Sequence, residues 1–195
     1  MTHEPAIAAL WGLLLAGELS AEAAFPRIAR RLTRAGAAHA ASTLQPLAKD
    51  EARHHALLLA YQPPGTGQAV HPRAALRRFF RHLENREPTV HLARVAALDG
   101  CVCQVLARVL AAPGASAIAE PLRATLATIR ADEGEHVRVS RRLALQLGAS
   151  AASLAEQTEV TRVRFASLLA AYEAAFTALG VDTYDLLWRI RRRDG

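Results

Sequence analysis

The sequence predicts an all-α protein folded as a four-helix bundle. Alanine and leucine dominate, aromatic residues make up only 5%, and apolar residues recur at helical spacing with no convincing alternating strand. At 195 residues the chain is about one domain long, so we expect a single domain over 1–195. Hydrophobic residues at 51% and charged residues at 22% exclude a disordered chain.

Turn-forming residues divide the chain into helical segments of unequal length. The four long segments that should form the bundle lie at about 5–34, 40–61, 88–111 and 117–147. A short helix at about 72–83 occupies the long crossover between the second and third of them. Two C-terminal helices, at about 151–179 and 183–192, follow the core bundle of about 5–147. This order of elements is typical of a four-helix bundle with one long crossover.

Prolines and capping residues justify the ends of these segments. Pro46 and Pro121 lie near helix starts, where a missing N–H costs little, whereas Pro26 falls inside the first helix and frees a carbonyl there. Asp182, with Asp185 three residues later, predicts the N-cap and first turn of the last helix. Both kinds of residue therefore agree with the helical pattern.

Each long segment carries an apolar stripe that is interrupted near its middle by a carboxylate. On the second and fourth segments a histidine follows three residues later, on the same helix face. The polar residues of the four stripes are Glu18, Glu51, His54, Asp99, Glu133 and His136. An ionised carboxylate in an apolar core is costly unless it is paired or bound to a cation, and four at one level repel each other. The pattern therefore predicts something positive between them.

Four carboxylates and two neutral imidazoles form the ligand set of a pair of metal ions, with donors that suit iron or manganese. The spacing supports this interpretation. Glu18 and Glu51 are 33 residues apart, and Asp99 and Glu133 are 34 apart, so each pair of helices brings its carboxylates back to one level. The 48 residues from Glu51 to Asp99 contain the crossover. The chain is predicted to be two similar hairpins around a dinuclear metal site.

These motifs resemble the ligand pattern of the ferritin-like di-iron carboxylate superfamily, over about residues 5–147. Glu51-Ala-Arg-His54 and Glu133-Gly-Glu-His136 each follow an upstream carboxylate, and Asp50 or Asp132 precedes each of them. The Asp-Glu-x-Arg-His form is similar to that of the oxygen-activating branch. The resemblance implies a ferritin-like fold, two iron ions or a manganese–iron pair, and that Asp50 and Asp132 each hold the histidine ligand of the other hairpin.

The chain departs from that pattern at Asp99, where the superfamily usually has glutamate. A side chain shorter by one methylene should loosen the bridging on that side, so we expect the two metal positions to be filled unequally. Glu22, one turn after Glu18, is a candidate extra ligand. Cys103, one turn after Asp99, is expected beside the site.

The resemblance implies a non-haem di-iron oxidoreductase that activates dioxygen, of the oxygenase or oxidase type. The sequence contains no flavin or iron–sulfur motif, so a separate reductase would supply the electrons. We expect the substrate to be a small molecule or one bound to a carrier.

Positive charge is concentrated in arginines, which cluster at 73–81 and at 189–193. The net charge of +6 and the pI near 10.3 suit an acidic electron-transfer partner. No nucleic-acid-binding motif is present, so the basic charge is the only feature of the sequence that favours nucleic-acid binding.

Two alternatives remain open. A ferroxidase or iron-storage protein would use the same ligands, although storage cages favour acidic inner surfaces and this chain is basic. A metal-free helical interaction protein would instead pair the six stripe residues with arginines.

The cysteines and the first helix lead to expectations about location and assembly. Cys101 and Cys103 diverge on a helix, so we expect free thiols and a reducing, cytoplasmic location. The most apolar stretch, 6–17, is too short to cross a bilayer, so we expect no membrane association. It is apolar around much of the helix, which predicts that the 151–179 helix or a second subunit packs there. A homodimer is therefore expected.

Overall fold

Helices account for all the regular secondary structure in the part of the chain that this computed structural model describes, residues 3–64, 66 and 73–192. The all-α prediction is confirmed. The helices are α1 Glu4–Arg34, α2 Ala38–Thr43, α3 Gln45–Ala60, α4 Arg73–Leu83, α5 Pro88–Ala111, α6 Glu120–Gln146, α7 Ala151–Leu169, α8 Glu173–Ala178 and α9 Thr183–Arg191. Residue 72 of the predicted crossover helix and Arg193 lie outside the described residues.

The second predicted long helix is interrupted. α2 ends at Thr43 and α3 begins at Gln45, with Leu44 fully buried between them. Pro46 lies in the first turn of α3 and has no N–H to continue the hydrogen bonds of α2. The prediction of one continuous helix over 40–61 was therefore wrong.

Two other predicted helices have different ends. A 3-10 turn occupies Pro113–Ala117, so α6 begins only at Glu120, with Pro121 in its first turn. A second 3-10 turn, Ala170–Tyr172, divides the predicted 151–179 helix into α7 and α8. This turn places Tyr172 in the core, where it is buried.

The helices α1, α3, α5 and α6 pack as two antiparallel hairpins, α1 with α3 and α5 with α6. At one end of the first hairpin, the indole N–H of Trp11 donates a hydrogen bond to the carbonyl of Leu58 at 2.9 Å. Near the other end, Phe25 and Leu47 belong to one apolar cluster. Contacts of α3 with α6 and of α1 with α5 join the two hairpins. α1 continues through Pro26 without a break.

The C-terminal helices lie mainly on the second hairpin. α7 runs along α5, and α9 contacts both of them. The N–H of Gly114 donates to the carbonyl of Leu179 at 3.0 Å, and a Cβ on Gly114 would lie 2.8 Å from that oxygen. Only glycine permits this approach. The predicted packing of the 151–179 segment on the first helix comes mainly from α8.

α1 and α5 are each long and apolar enough to cross a membrane, judged by length and composition. Of the most apolar stretch of each helix, 39% is buried inside the fold in α1 and 61% in α5. The core helix of a soluble protein can also meet this criterion of length and composition. Each of these two helices also carries a buried carboxylate, Glu18 or Asp99.

The apolar core is divided into two clusters along the bundle. One contains the first half of α1, the later part of α5 and the first half of α6, together with α4 and α7–α9. The other contains the second half of α1, the start of α3 and of α5, and the end of α6, with α2 between them. Polar residues of the four long helices lie between these clusters.

Candidate metal centre

The six polar stripe residues meet between the two apolar clusters. None of their side chains is more than 4% exposed. Each Glu-x-x-His pair stays on one face of its helix, α3 or α6, because residues three apart are almost one turn apart. The hairpins bring the carboxylates of α1 and α5 to the same level. The residues assembled in this way are Glu18, Glu51, His54, Asp99, Glu133 and His136.

Donor atoms of these residues form two overlapping groups, and within each group the atoms lie within 4.8 Å of one another. The members are Glu18, Glu51, His54 and Glu133 in the first group, and Asp99, Glu133 and His136 in the second. Glu133 belongs to both. Oε1 of Glu51 also lies 2.9 Å from Nδ1 of His136 in the second group. The two groups therefore adjoin, with Glu51 and Glu133 at their junction.

The inward-facing donor atoms lack hydrogen-bond partners among the described residues. These buried atoms are Oε2 of Glu18, both carboxylate oxygens of Glu51, Nδ1 of His54, Oδ2 of Asp99, Oε2 of Glu133 and Nδ1 of His136. Buried polar atoms nearly always have a partner. Carboxylate oxygens and neutral imidazole nitrogens are electron-pair donors, so a cation is the partner that satisfies all of them together.

The distances between donor atoms match a small metal ion. Nδ1 of His54 lies 3.3 Å from Oε2 of Glu18, and Nδ1 of His136 lies 2.9 Å from Oε1 of Glu51. Neither pair is oriented as a hydrogen bond. Two ligands at about 2.1 Å from one ion, at right angles, are about 3 Å apart. The residues present therefore fit bound metal.

Burial disfavours negative charge on the carboxylates of the cluster. Together with the neighbouring Glu133 and Glu18, it raises the pKa of Glu51 to about 8. Burial likewise raises the pKa of Glu133 and that of Asp99 well above its ordinary range. The carboxylates can be ionised together only beside a compensating positive charge.

Burial and the carboxylates act in opposite directions on the two imidazoles. Burial lowers the pKa of His54, but Glu18 and Asp132 outweigh it and raise that pKa to about 9. Burial also lowers the pKa of His136, but the carboxylates of α3 and α6 beside it raise that pKa to about 11. A metal ion that binds here displaces these protons, because only the neutral imidazole is a ligand.

An aspartate of each hairpin faces the histidine of the other hairpin. Asp132 accepts a hydrogen bond from Nε2 of His54 at 2.9 Å, which leaves Nδ1 of that ring facing the cluster. Oδ2 of Asp50 lies 3.6 Å from Nε2 of His136. Arg53 donates to both aspartates, at 2.8 Å to Asp132 and 3.1 Å to Asp50. Sequence reasoning missed Arg53, although the Asp-Glu-x-Arg-His motif contains it.

Glu22 and Cys103 lie outside both groups of donor atoms. Oε2 of Glu22 accepts a hydrogen bond from Nδ1 of His55 at 2.6 Å. The thiol of Cys103 points to the carbonyl of Arg130, 3.6 Å away, and burial raises its pKa to about 11. A ligand role for Glu22 stays a prediction, and the geometry gives this carboxylate a different partner.

An apolar cavity of about 60 Å³ adjoins the carboxylates. Glu18, Glu51, Asp99 and Glu133 line one part of it, and side chains of α1, α5 and α6 line most of the rest. One water molecule needs only ~10–15 Å³. The cluster therefore opens onto a space that can admit a small molecule. The sequence did not predict the cavity, because it arises from packing between helices.

In the part of the chain that the structure describes, ion-pair contacts join the six residues to one another, to Asp50 and to Asp132. The metal-free alternative expects arginines in these places, and these contacts are instead with acidic residues and histidines. Comparison of the chain with family models, with curated proteins and with solved structures finds no match. The interpretation therefore depends on the buried cluster, which is compatible with a di-iron site.

Proposed function

We propose that this chain is a ferritin-like, non-haem di-iron oxidoreductase that activates dioxygen. One observation carries the proposal: two adjoining groups of buried carboxylate and imidazole donors whose inward atoms have no other partner among the described residues. An isolated cluster of like charges at this depth is unstable, whereas two metal ions convert it into a stable core. Iron is the first choice, and a manganese–iron pair uses the same donors.

Each hairpin supplies the terminal ligands of one ion. Glu18 and His54 would hold the first ion, and Asp99 and His136 the second. The carboxylates at the junction, Glu51 and Glu133, would bridge them. This assignment follows the membership of the two groups and the 2.9 Å approach of Glu51 to His136.

When bound, two iron ions supply electrons to dioxygen. The chain's own residues set the conditions for this chemistry. Asp132 orients the imidazole of His54 through the hydrogen bond to Nε2. The apolar walls of the cavity keep bulk water away from the carboxylates. Electrons would come from a separate, acidic reductase in the cytoplasm that docks on the basic surface.

Metal analysis of protein expressed in iron-rich medium tests the proposal. We expect about two iron ions per chain, and an absorbance change when the ferrous protein meets dioxygen. Glu51→Ala should lose the iron, whereas Glu156→Ala, which removes an exposed carboxylate on α7, should retain it.

Two outcomes would contradict the proposal. If the wild type contained no bound transition metal, the proposed metal centre would be ruled out. If iron bound without reacting with dioxygen, the proposed oxygen chemistry would be ruled out. Size-exclusion chromatography separates the storage alternative, because a large cage-like assembly that accumulates iron is the signature of storage, whereas a monomer or homodimer is expected here.

A further inference from the structure

The cavity beside the metal centre is long and narrow in its layout. On α1 its lining extends from Ala21, one turn beyond Glu18, back to Ile7, and on α6 it extends from Glu133 back to Leu122. From the carboxylate to the far end, Glu18 to Ile7 or Glu133 to Leu122, each stretch is eleven helical steps long, or about 16 Å at a rise of about 1.5 Å per residue. On α5 the lining extends in parallel from Asp99 to Val109. The carboxylates therefore lie at one end of an elongated space.

The lining away from that end is apolar. It consists of aliphatic and aromatic side chains, and the one indole N–H among them, that of Trp11, already donates to the carbonyl of Leu58. A molecule that fills the space therefore gains no hydrogen bonds along most of its length. An aliphatic chain satisfies this condition, because each CH₂ group removed from water contributes ~0.8 kcal/mol.

Phe80 of α4 separates this cavity from an open groove on the surface. It lines the cavity, and it also lines the groove together with Leu19 and Ser20 of α1. Near Phe80, a further small pocket contains Gly17, Ala21 and Asp99. Phe80 therefore stands at the acidic end of the cavity, beside the metal centre.

The groove carries a row of positive charge. Arg73, Arg77 and Arg81 are four residues apart on α4, so they lie along one side of that helix and all three line the groove. Within the described residues, no carboxylate lies within salt-bridge distance of these three guanidinium groups. Glu84, the acidic residue of the groove, is already paired with Arg27 at 2.9 Å.

We infer that the site takes an anionic amphiphile with a linear acyl chain. The anionic head binds the arginine row, the chain passes Phe80, and the tail extends along the cavity toward Ile7 and Val109. The carbons next to the head then lie beside Glu18 and Asp99. Binding follows from the shape and charge of the chain's own residues, and only the chemistry at those carbons rests on the proposed di-iron function.

Calorimetric titration of the purified full chain with dodecanoate tests the inference, with dodecanol as the probe of equal length and no charge. We expect one saturable site per chain that binds dodecanoate at least about tenfold more tightly than dodecanol. Dodecanoyl coenzyme A, which carries phosphates on the same chain, is the third probe. Tighter binding of this thioester would place the anion on a carrier, and tighter binding of dodecanoate would assign a free acid.

Two variants separate the chain-binding cavity from the head-binding groove. Gly17 lines the cavity, and a Cβ there meets no atom within 4 Å, so Gly17→Leu fills the space and improves helix propensity. We expect it to weaken both dodecanoate and dodecanol about tenfold or more. The triple variant Arg73→Gln, Arg77→Gln, Arg81→Gln should weaken the binding of dodecanoate and leave that of dodecanol unchanged. Arg78→Gln, on the exposed side of α4 and outside the groove lining, is the matched control.

Three results would overturn the inference: no saturable binding of either anionic probe, unchanged binding in Gly17→Leu, or equal affinities for dodecanoate and dodecanol. Iron content is measured on the same samples. Dodecanoate binding in protein that takes up no iron would support the amphiphile site and rule out the di-iron function. Two irons per chain without binding of either anionic probe would support the di-iron function and rule out the amphiphile site.

Discussion

The two hairpins supply the same kinds of donor but hold them differently. In the first, Nε2 of His54 is hydrogen-bonded to Asp132 at 2.9 Å. In the second, the corresponding atom of His136 is 3.6 Å from Asp50, beyond hydrogen-bond distance. Arg53 is also closer to Asp132 than to Asp50. Similar motifs at similar spacing therefore produce unequal halves, because each histidine depends on an aspartate of the other hairpin.

Removing the donor that both groups share should have the largest effect. Glu133 belongs to both groups, so Glu133→Gln should abolish binding of both ions, whereas substitution of a terminal donor such as Asp99 should spare the other ion. Metal analysis measures this loss. Retention of one full equivalent of metal would show that Glu133 serves only one hairpin.

Chemical denaturation of the same variant separates loss of metal from loss of fold. Burial and Glu18 raise the pKa of Glu133, so its ionised form destabilises the chelator-treated protein. We expect chelator-treated Glu133→Gln to unfold at a higher urea concentration than chelator-treated wild type. A lower midpoint would mean that the carboxylate stabilises the fold without metal.

The next largest effect should be a difference between Asp132 and Asp50 in how much each contributes to metal binding. Asp132→Asn removes the anion that orients His54, and losses of this kind typically weaken metal binding by ~10–100-fold. Asp50→Asn should weaken it by less than about tenfold, because Asp50 makes no hydrogen bond to His136. Competition with a chromogenic chelator measures both. Equal losses would mean that the two hairpins hold their histidines equally well.

Asp99 should determine the weaker of two binding steps. The group that contains Asp99 has three residues and the group that contains Glu18 has four, so the ions should bind in two unequal steps. Asp99→Asn should abolish the weaker step and leave the tighter one within about threefold. Titration of the metal-free protein with Mn²⁺, followed by calorimetry, resolves the steps. Loss of the tighter step instead would reverse this order.

The periodicity and spacing of the sequence predicted more of the site than of the fold's details. The positions of the six donors follow from helix periodicity and from the 33- and 34-residue spacings, so they could be found without a structure. The break at Leu44 depends on how Pro46 competes with a continuing helix, which periodicity does not reveal. The cavity and the row on α4 depend on packing between distant helices. The role of Phe80 is visible only after α4 is placed against α1.

His91 should distinguish the hairpins by the smallest effect, a difference in acid stability. Eight residues before its carboxylate donor, the first hairpin has Leu10 and the second has His91, which is buried with Nδ1 unpaired among the described residues. Burial, together with the nearby charges of Arg31, Arg27 and Arg94, lowers the pKa of His91 to about 4.

The sign of the pH dependence follows from that lowered pKa. In the unfolded chain His91 has its ordinary pKa of 6.5 and is protonated below that pH. In the folded protein it stays neutral until the pH approaches 4. The stability that neutral His91 contributes is therefore present above pH 6.5 and is lost as the pH falls toward 4, by about 2 kcal/mol between pH 7 and pH 5.

In His91→Leu, the second hairpin resembles the first at this position, and the difference in unfolding free energy between these two pH values should shrink by that amount. Urea denaturation of both proteins at both pH values measures the change, and the donor histidines cancel because they are common to both. An unchanged difference would mean that His91 is already protonated in the folded protein, with water or an anion reaching Nδ1 between the arginines.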